Sequence, residues 1–465
     1  MNLLRQDFAC ETPVDLPAGS ALRVNGGTPL SGSVRPSGFK HSLVTVLSAA
    51  AAAAAPVRVT NCPDIAETAV LTELLGELGA TVRRSASTLV VDGSTIDGSV
   101  VDLAGADRIH GAVYLVPALL CRTGRARVAT GGGCRIGDGP AGWRPVEQYV
   151  GVLRRFGAQA GILPDGDLDV SAGRLRGCEL DLLDYTSDRH RRSGPLYSGA
   201  TKMALLAAAV AEGTSTIRNP YPKPDVTDLV TVLRQLGADI ETSDADTLVV
   251  RGAGPGALCH DAEHALVPDL IEVVTWISAA ATVAGSDLRI TGDDLARATA
   301  ALAPELAVLE RMGVTVQHTA DELVVRAEQP LRATEVTVAS HDVYSDSQPF
   351  LALLAAHAVG TSHITETVWS GRFGYVPGLC ALGARMRERH GVLRVDGPYP
   401  PSRAGRHVHA TDLRAAAVLV LAALGVPGPT VLHGVHHLAR GYQDLPATLR
   451  TLGADISEVM EEQRV

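Results

Sequence analysis

The chain repeats itself, and the repeat limits its fold more than any other feature. One phrase, an apolar stretch ending in Leu-Gly-Ala or a close variant and followed by an alternating segment, occurs six times. It begins at Leu74, Leu153, Leu233, Leu309, Leu379 and Leu449, and its glycines are Gly79, Gly157, Gly237, Gly313, Gly383 and Gly453. The spacings are 78, 80, 76, 70 and 70 residues. Each glycine sits where a helix C-cap needs a left-handed backbone. The alternation after it predicts a half-buried hairpin. A second phrase also occurs six times: a small-residue segment apolar on every side, then a turn and a strand, as in VTVLSAAAAAAAPVRVTN and GATKMALLAAAVAEGTSTIRN. A helix apolar all round must be buried all round, whereas one with a single apolar stripe covers a surface. Each unit of 70–80 residues therefore supplies one buried helix, one outer helix and several strands. Six units divide most simply into two sets of three. The Gly/Pro-rich stretch Gly252–Asp269 marks the crossing between them.

Composition narrows the function. The 465 residues carry a net charge of −10, which argues against a general nucleic-acid binder but leaves room for basic pockets that take small anions. Lysine occurs only as Lys40, Lys202 and Lys223, so those three merit individual inspection. The seven cysteines are odd in number and scattered, without CxxC or Cys/His metal spacing, as expected of reduced thiols. The N-terminal twenty residues lack the apolar core of a secretion signal, and the alanine run Ala49–Ala55 is too short to span a bilayer. A cytoplasmic protein without membrane contact is expected. The sequence leaves a homo-oligomer open.

Several residues are candidates for chemistry. Lys40 lies in SGSVRPSGFKHSL, at the start of the first buried helix, where free N–H groups and the helix dipole favour anions; a lysine reaching solvent is the plain alternative. Cys134 lies in the glycine-dense loop ATGGGCRIGDGPAGWRP, which also carries Arg135 and Arg144, as in a closing lid that binds an anion, or as an incidental surface thiol. Asp346 precedes the fifth buried helix and is either its cap or a general base. Arg372, Arg414 and Arg440 each stand near the edge of a unit, where a solvated arginine is common. His407, His409, His436 and His437 lack a third ligand at metal spacing, and no metal site is expected. There is neither a phosphate-binding P-loop nor a glycine motif in a dinucleotide-binding setting.

In order, the chain shows SGxK at Ser37–Lys40, GGCxIG at Gly132–Gly137, RPV at Arg144–Val146, GAT with AEGT at Gly199–Thr214, SDxQ at Ser345–Gln348, ITETVxxxRF at Ile364–Phe373, ATDLRA at Ala410–Ala415 and RGY at Arg440–Tyr442. This series, from about Ala21 to Ile456, resembles the UDP-N-acetylglucosamine enolpyruvyl transferases. The resemblance implies an α/β protein, a two-domain inside-out α/β barrel built from six βαβαββ-type repeats. It implies an N-terminal extension over 1–20, one domain over 38–258, and a second formed by 21–37 with 259–465, the active site lying in the cleft between them. It further implies that Lys40, Arg144, Arg372, Arg414 and Arg440 hold phosphoenolpyruvate. Cys134 would be the general acid that protonates the enol methylene, with its thiol placed for a phospholactoyl adduct, and Asp346 would take the proton from the acceptor hydroxyl. No cofactor is required.

Departures from the family pattern fall on the acceptor side. His41 stands where the family has an asparagine that contacts the amino sugar, and His110 where it has an arginine. The RPV motif is followed by the retained acid Glu147, then by Tyr149 in place of histidine, and Leu270 replaces an arginine. The lid carries about five extra residues, GPAGW, and an insertion around Ser187–Leu196 brings the run Arg189-His190-Arg191-Arg192 just before Tyr197, Ser198 and Gly199. By the resemblance, His41, His110, Pro145, Glu147, Tyr197, Ser198 and Gly199 face the acceptor, a uridine nucleotide. The chemistry on phosphoenolpyruvate looks kept and acceptor recognition rebuilt. This is similar to the enolpyruvyl transferases of nikkomycin- and polyoxin-type antibiotic pathways, which act on the ribose 3′-hydroxyl of UMP. In that reading the arginine run either helps to bind a terminal monophosphate or is a solvated loop. Peptidoglycan synthesis on UDP-N-acetylglucosamine, and a catalytically silent nucleotide-binding protein, are the alternatives.

Overall fold

The computed structural model describes residues 20–97, 108–137, 142–319, 321–327 and 330–460. The expected extension up to residue 19, with Cys10, and lid residues Gly139–Ala141 lie outside the described residues.

Six apolar segments form buried helices: Lys40–Ala52, Val116–Thr123, Tyr197–Val210, Leu270–Thr282, Gln348–His357 and Leu413–Leu424. In the first, every residue from Ser42 to Ala52 is buried. Alanine dominates because helices buried on all sides pack closely only with short side chains. The second is shorter than its apolar run, which begins as a 3-10 turn over His110–Leu115 ahead of Pro117. Six outer helices cover the assembly: Ala66–Glu77, Glu147–Arg155, Pro224–Gln235, Ala303–Met312, Val376–Ala381 and Leu445–Thr451. The glycine after each has a positive φ, between 87° and 120°, as the repeat predicts.

Among the described residues there are six small sheets. Five share one pattern, an outer strand parallel to the next and then two antiparallel pairings; the sixth, of three strands, shows the antiparallel part. Three sheets borrow strands from distant sequence. Ser20–Gly26 lies between Gly428–His433 and Asp455–Met460 in the last unit's sheet. Ser31–Val34 runs parallel to Asp287–Thr291. Ala262–Ala265 runs parallel to Val57–Thr60 and so joins the first unit's sheet, although 259–465 reads in sequence as second-half chain.

The apolar interior falls into two clusters. One draws on residues between Leu43 and Leu266. The other draws on Leu22 to Phe39 and on Val267 to Ile456. The chain passes between them twice, at Ser37–Phe39 and Val267–Asp269, and the two crossings bind each other. Phe39 N–H donates to Val267 O at 2.8 Å, and Asp269 N–H donates to Ser37 O at 2.7 Å. Gly38 fits here because an added Cβ would lie 1.9 Å from Asn61 O. Asp269 caps its own helix, accepting from Ile271 N–H at 2.8 Å and Glu272 N–H at 3.0 Å, while its other oxygen accepts from Lys40 N–H at 3.2 Å. One carboxylate thus serves the starts of two helices, one in each half. Among the described residues, no helix is long and apolar enough to cross a membrane.

Loss of a cap costs about 1 kcal/mol. Asp269→Ala removes partners from two helices at once, so it should cost about 2 kcal/mol and lower the melting temperature by several degrees. Calorimetry of wild type and variant checks this; an unchanged melting temperature would show that the shared cap carries no stability.

Candidate active site

A cleft between the two halves gathers most of the expected residues. Lys40, His41, His110, Cys134, Arg144, Pro145, Ser198 and Gly199 line it from the first half, and Asp346, Arg372, Arg414 and Arg440 from the second. Six cations line the cleft against the three carboxylates Glu67, Asp225 and Asp346, which leaves three positive charges in surplus. Such a site favours a multiply charged anion.

The cations are organised by two of these carboxylates. Glu67, buried in the first turn of the helix Ala66–Glu77, accepts from Lys40 Nζ at 2.7 Å and from Arg440 Nη2 at 3.0 Å. Arg440 belongs to the second half and also donates from Nη1 to Cys134 Sγ at 3.2 Å. Burial by itself would raise the Glu67 carboxyl, but Lys40 and Arg440 outweigh it and hold the group below its usual range. Burial lowers the Lys40 ammonium, with Glu67 opposing the shift. Across the cleft, Asp346 pairs with Arg372 and accepts from Arg414 Nε at 3.0 Å and Nη2 at 2.9 Å. Here too burial pushes the carboxyl up, and the two guanidinium groups overcome it, so Asp346 titrates well below the usual carboxylate range. Arg372 Nε donates to Ser345 O at 2.9 Å, and Arg414 Nη1 donates to the Tyr442 hydroxyl at 3.2 Å. Both arginines are therefore fixed in place. The N-cap of the helix Gln348–His357 is Ser347, which leaves the Asp346 carboxylate to the arginines rather than to capping.

The lid loop is held against the second buried segment. A Cβ on Gly132 would lie 2.4 Å from the Ile109 carbonyl carbon, so only glycine allows this approach. Cys134 is thereby brought beside Arg440. On either side, the Arg135 guanidinium lies 4.7 Å from the Trp143 ring centre and that of Arg144 lies 5.5 Å from Trp369. The second contact ties the lid to the opposite half.

The wall around His41, His110 and Tyr149, expected from the sequence to face the acceptor, is polar. His110 Nε2 shares a hydrogen bond with the Tyr149 hydroxyl at 3.0 Å, which is 3.4 Å from that of Tyr114. Burial pushes the His41 imidazole down to about 3, and burial together with Arg144 pulls His110 well below its ordinary value. Both rings are neutral at pH 7. His41 Nδ1, His110 Nδ1, Gln148 Oε1 and Asp225 Oδ1 are buried in this wall with no hydrogen-bond partner. Buried polar atoms are rarely left unpaired, and all four of these residues line the cleft.

Two expected residues do not line the cleft. Glu147 is exposed and turns its carboxylate back to Val146 N–H at 2.9 Å, at the start of its helix. Tyr197 is buried behind the wall, where its hydroxyl donates to Asn219 O at 2.8 Å and lies 3.0 Å from His341 Nε2. The arginine run also stays outside. Arg189 pairs with Asp181 and Asp184, Arg191 lies 3.9 Å from Asp188, and Arg192 pairs with Asp246 at 2.9 Å. The insertion instead meets the second half through Ser193, whose hydroxyl lies 2.9 Å from Thr367 Oγ1 and accepts from Ser340 N–H at 3.1 Å. His407 bonds His433 at 3.0 Å and His436 packs on His437, away from the cleft. The sequence reading missed Glu67, Tyr114, Gln148, Asp225 and Trp369 as cleft residues, and Lys202 was marked only by the rarity of lysine.

A carboxyl depressed by its partners stabilises the fold above its unfolded pKa of about 4 and loses that contribution as pH falls toward the folded value. Asp346→Asn leaves two buried arginines unpaired and should cost about 3 kcal/mol at pH 7. The difference in melting temperature from wild type should shrink as pH drops below about 4. A difference that stays constant there would contradict the ion-pair account.

The family model described as EPSP synthase (3-phosphoshikimate 1-carboxyvinyltransferase) matches residues 24–449. The UDP-N-acetylglucosamine 1-carboxyvinyltransferase of Acinetobacter guillouiae is 34% identical over 440 residues, covering 94% of this chain and 99% of the relative. That of Mycolicibacterium paratuberculosis is 35% identical over 439 residues, covering 94% and 98%. The crystal structure of the enolpyruvyl transferase NikO from Streptomyces tendae superposes with a TM-score of 0.90 at 51% identity, covering 95% of this chain and 99% of that one. EPSP synthase from Acinetobacter baumannii, at 18% identity and a TM-score of 0.69 over 95% of this chain and 100% of its own, shares the fold. The chain belongs to the EPSP synthase (3-phosphoshikimate 1-carboxyvinyltransferase) family and is an enolpyruvyl (carboxyvinyl) transferase.

Proposed function

We propose that the protein transfers the enolpyruvyl group of phosphoenolpyruvate to the 3′-hydroxyl of UMP, in the biosynthesis of a nucleoside antibiotic, and works in the cytoplasm with its thiols reduced. The observation that carries the transfer is the facing of two devices across one cleft, Cys134 against Arg440 and Asp346 between Arg372 and Arg414. Lys40, Arg144, Arg372, Arg414 and Arg440 bind the phosphate and carboxylate of phosphoenolpyruvate, for which guanidinium forks are suited. Asp346, ionised in the free cleft and made more basic as the incoming anion draws Arg372 and Arg414 from it, accepts the proton of the acceptor hydroxyl as the hydroxyl oxygen bonds to C2 of phosphoenolpyruvate. The Cys134 thiol delivers a proton to C3, and the product of addition is a tetrahedral ketal. Return of a C3 proton to the Cys134 thiolate and cleavage of the C2–O bond to phosphate, which takes up the Asp346 proton, then restore the double bond, giving an enol ether and inorganic phosphate. The arginines released from Asp346 by the incoming anion offset the charge of the leaving phosphate.

For the acceptor, support comes from the 51% identity with NikO and from the neutral wall of His41, His110 and Tyr149. The competing acceptor is UDP-N-acetylglucosamine, favoured by the names of the relatives at 34–35% identity.

Phosphate release from phosphoenolpyruvate, measured with each acceptor and with product masses recorded, tests the reading. UMP should support release and gain one enolpyruvyl unit; turnover with UDP-N-acetylglucosamine alone would assign the enzyme to cell-wall synthesis, and release with neither would favour a silent nucleotide-binding protein. Cys134→Ala and Cys134→Ser should each lose about 10²-fold or more in kcat, the usual scale for a lost general acid; unchanged turnover removes that role. Asp346→Asn should still bind phosphoenolpyruvate and transfer about 10²–10⁴-fold more slowly. Full activity would reassign the base.

A further inference from the structure

We propose that Lys202 is the cation that holds the 5′-phosphate of the acceptor, which makes the enzyme selective for a nucleoside monophosphate over the bare nucleoside. The proposal rests on the acceptor reading above.

Lys202 lies in the helix Tyr197–Val210, one turn beyond Ser198, and lines the cleft while only 5% exposed. Its ammonium pairs with Asp225 and lies 5.9 Å from the Tyr114 ring centre. An ammonium has three donors, and Asp225 is its one ion-pair partner among the described residues. Asp225 is 3% exposed, and its Oδ1 accepts no hydrogen bond. A buried pair of this kind adds little stability compared with an apolar pair of the same shape. Its unmet hydrogen-bonding capacity faces a ligand cavity.

Charge and position select the ligand group. Lys40, Arg440, Arg372 and Arg414 are gathered around Glu67 and Asp346, and Arg144 stands with the lid. Lys202 is the remaining cation of the cleft, set among the neutral groups of the acceptor wall. It is close enough to His41 and His110 to act on both rings electrostatically, and His41 in turn feels Asp346. The 5′-phosphate of a nucleotide is one sugar ring away from its 3′-hydroxyl. With that hydroxyl at Asp346, the phosphate needs a cation on the His41 side of the cleft, where Lys202 stands. The Arg189–Arg192 run offers none, since those side chains are exposed, paired with aspartates, and outside the lining.

The test compares UMP with uridine as acceptors for wild type, Lys202→Gln, the charge-balanced double variant Lys202→Gln/Asp225→Asn, and Arg189→Ala/Arg192→Ala. Both Lys202 variants should raise KM for UMP about 30-fold, the loss expected for a charged hydrogen bond, while KM for phosphoenolpyruvate and for uridine changes less than about twofold. The double variant guards against a fold defect, because it leaves no buried charge unpaired. The exposed arginine variant should leave all three constants as in wild type. Equal loss for UMP and uridine, or no change in KM for UMP, overturns the proposal. So does a rise in KM for UMP in the arginine variant with Lys202→Gln silent, which would put the phosphate on the insertion. Failure of wild type to use UMP at all would appear before any variant is made, and would overturn the acceptor reading and this proposal together.

Discussion

Two peptide segments of three residues carry the chain between the two halves of this molecule. Where Ser37–Phe39 crosses Val267–Asp269, the backbones bind each other and Asp269 serves the first turns of two helices. Lys40 is the first residue of one of those helices. The orientation of the two halves and the placement of a cleft lysine thus share one carboxylate. Any rotation of the halves about this crossing changes the distance from Cys134 and Glu67 to Arg440, because these groups come from opposite sides.

The cleft is an anion site that has supplied its own anions. Six cations packed without counter-charges would repel one another strongly in a low-dielectric space. Glu67, Asp346 and Asp225 divide five of them into small groups of reduced charge, each with a carboxylate that a substrate anion can replace or supplement. The arginines are held by Ser345 O, Tyr442 and neighbouring aromatic faces as well, so they keep their positions while their counter-ion changes. Such preorganisation lowers the reorganisation needed as charge moves during reaction.

Much of this architecture is legible in the sequence. The six buried helices are readable because a helix apolar all round has one solution, and the outer ones because their glycines mark left-handed caps. The borrowed strand Ala262–Ala265 is not, because four alternating residues fit an edge position in any sheet. Cys134, Asp346 and the arginines are readable as motifs. Glu67 is not, since an acid in the first turn of a helix is common and nothing local shows that it meets Arg440, 373 residues away. Glu147 and Tyr197 carry motif letters, yet burial and a nearer hydrogen-bond partner decide where their side chains go.

The borrowed strand Ser20–Gly26 gives the molecule a temporal order. It leaves the ribosome well before both of its neighbours, Gly428–His433 and Asp455–Met460. The first half draws its core from one continuous run of chain and can collapse during synthesis, whereas the second cannot close this sheet until Asp455–Met460 has been made. During that interval Ser20–Gly26 lacks both of its strand partners, and an unpaired strand edge is open to pairing with another chain.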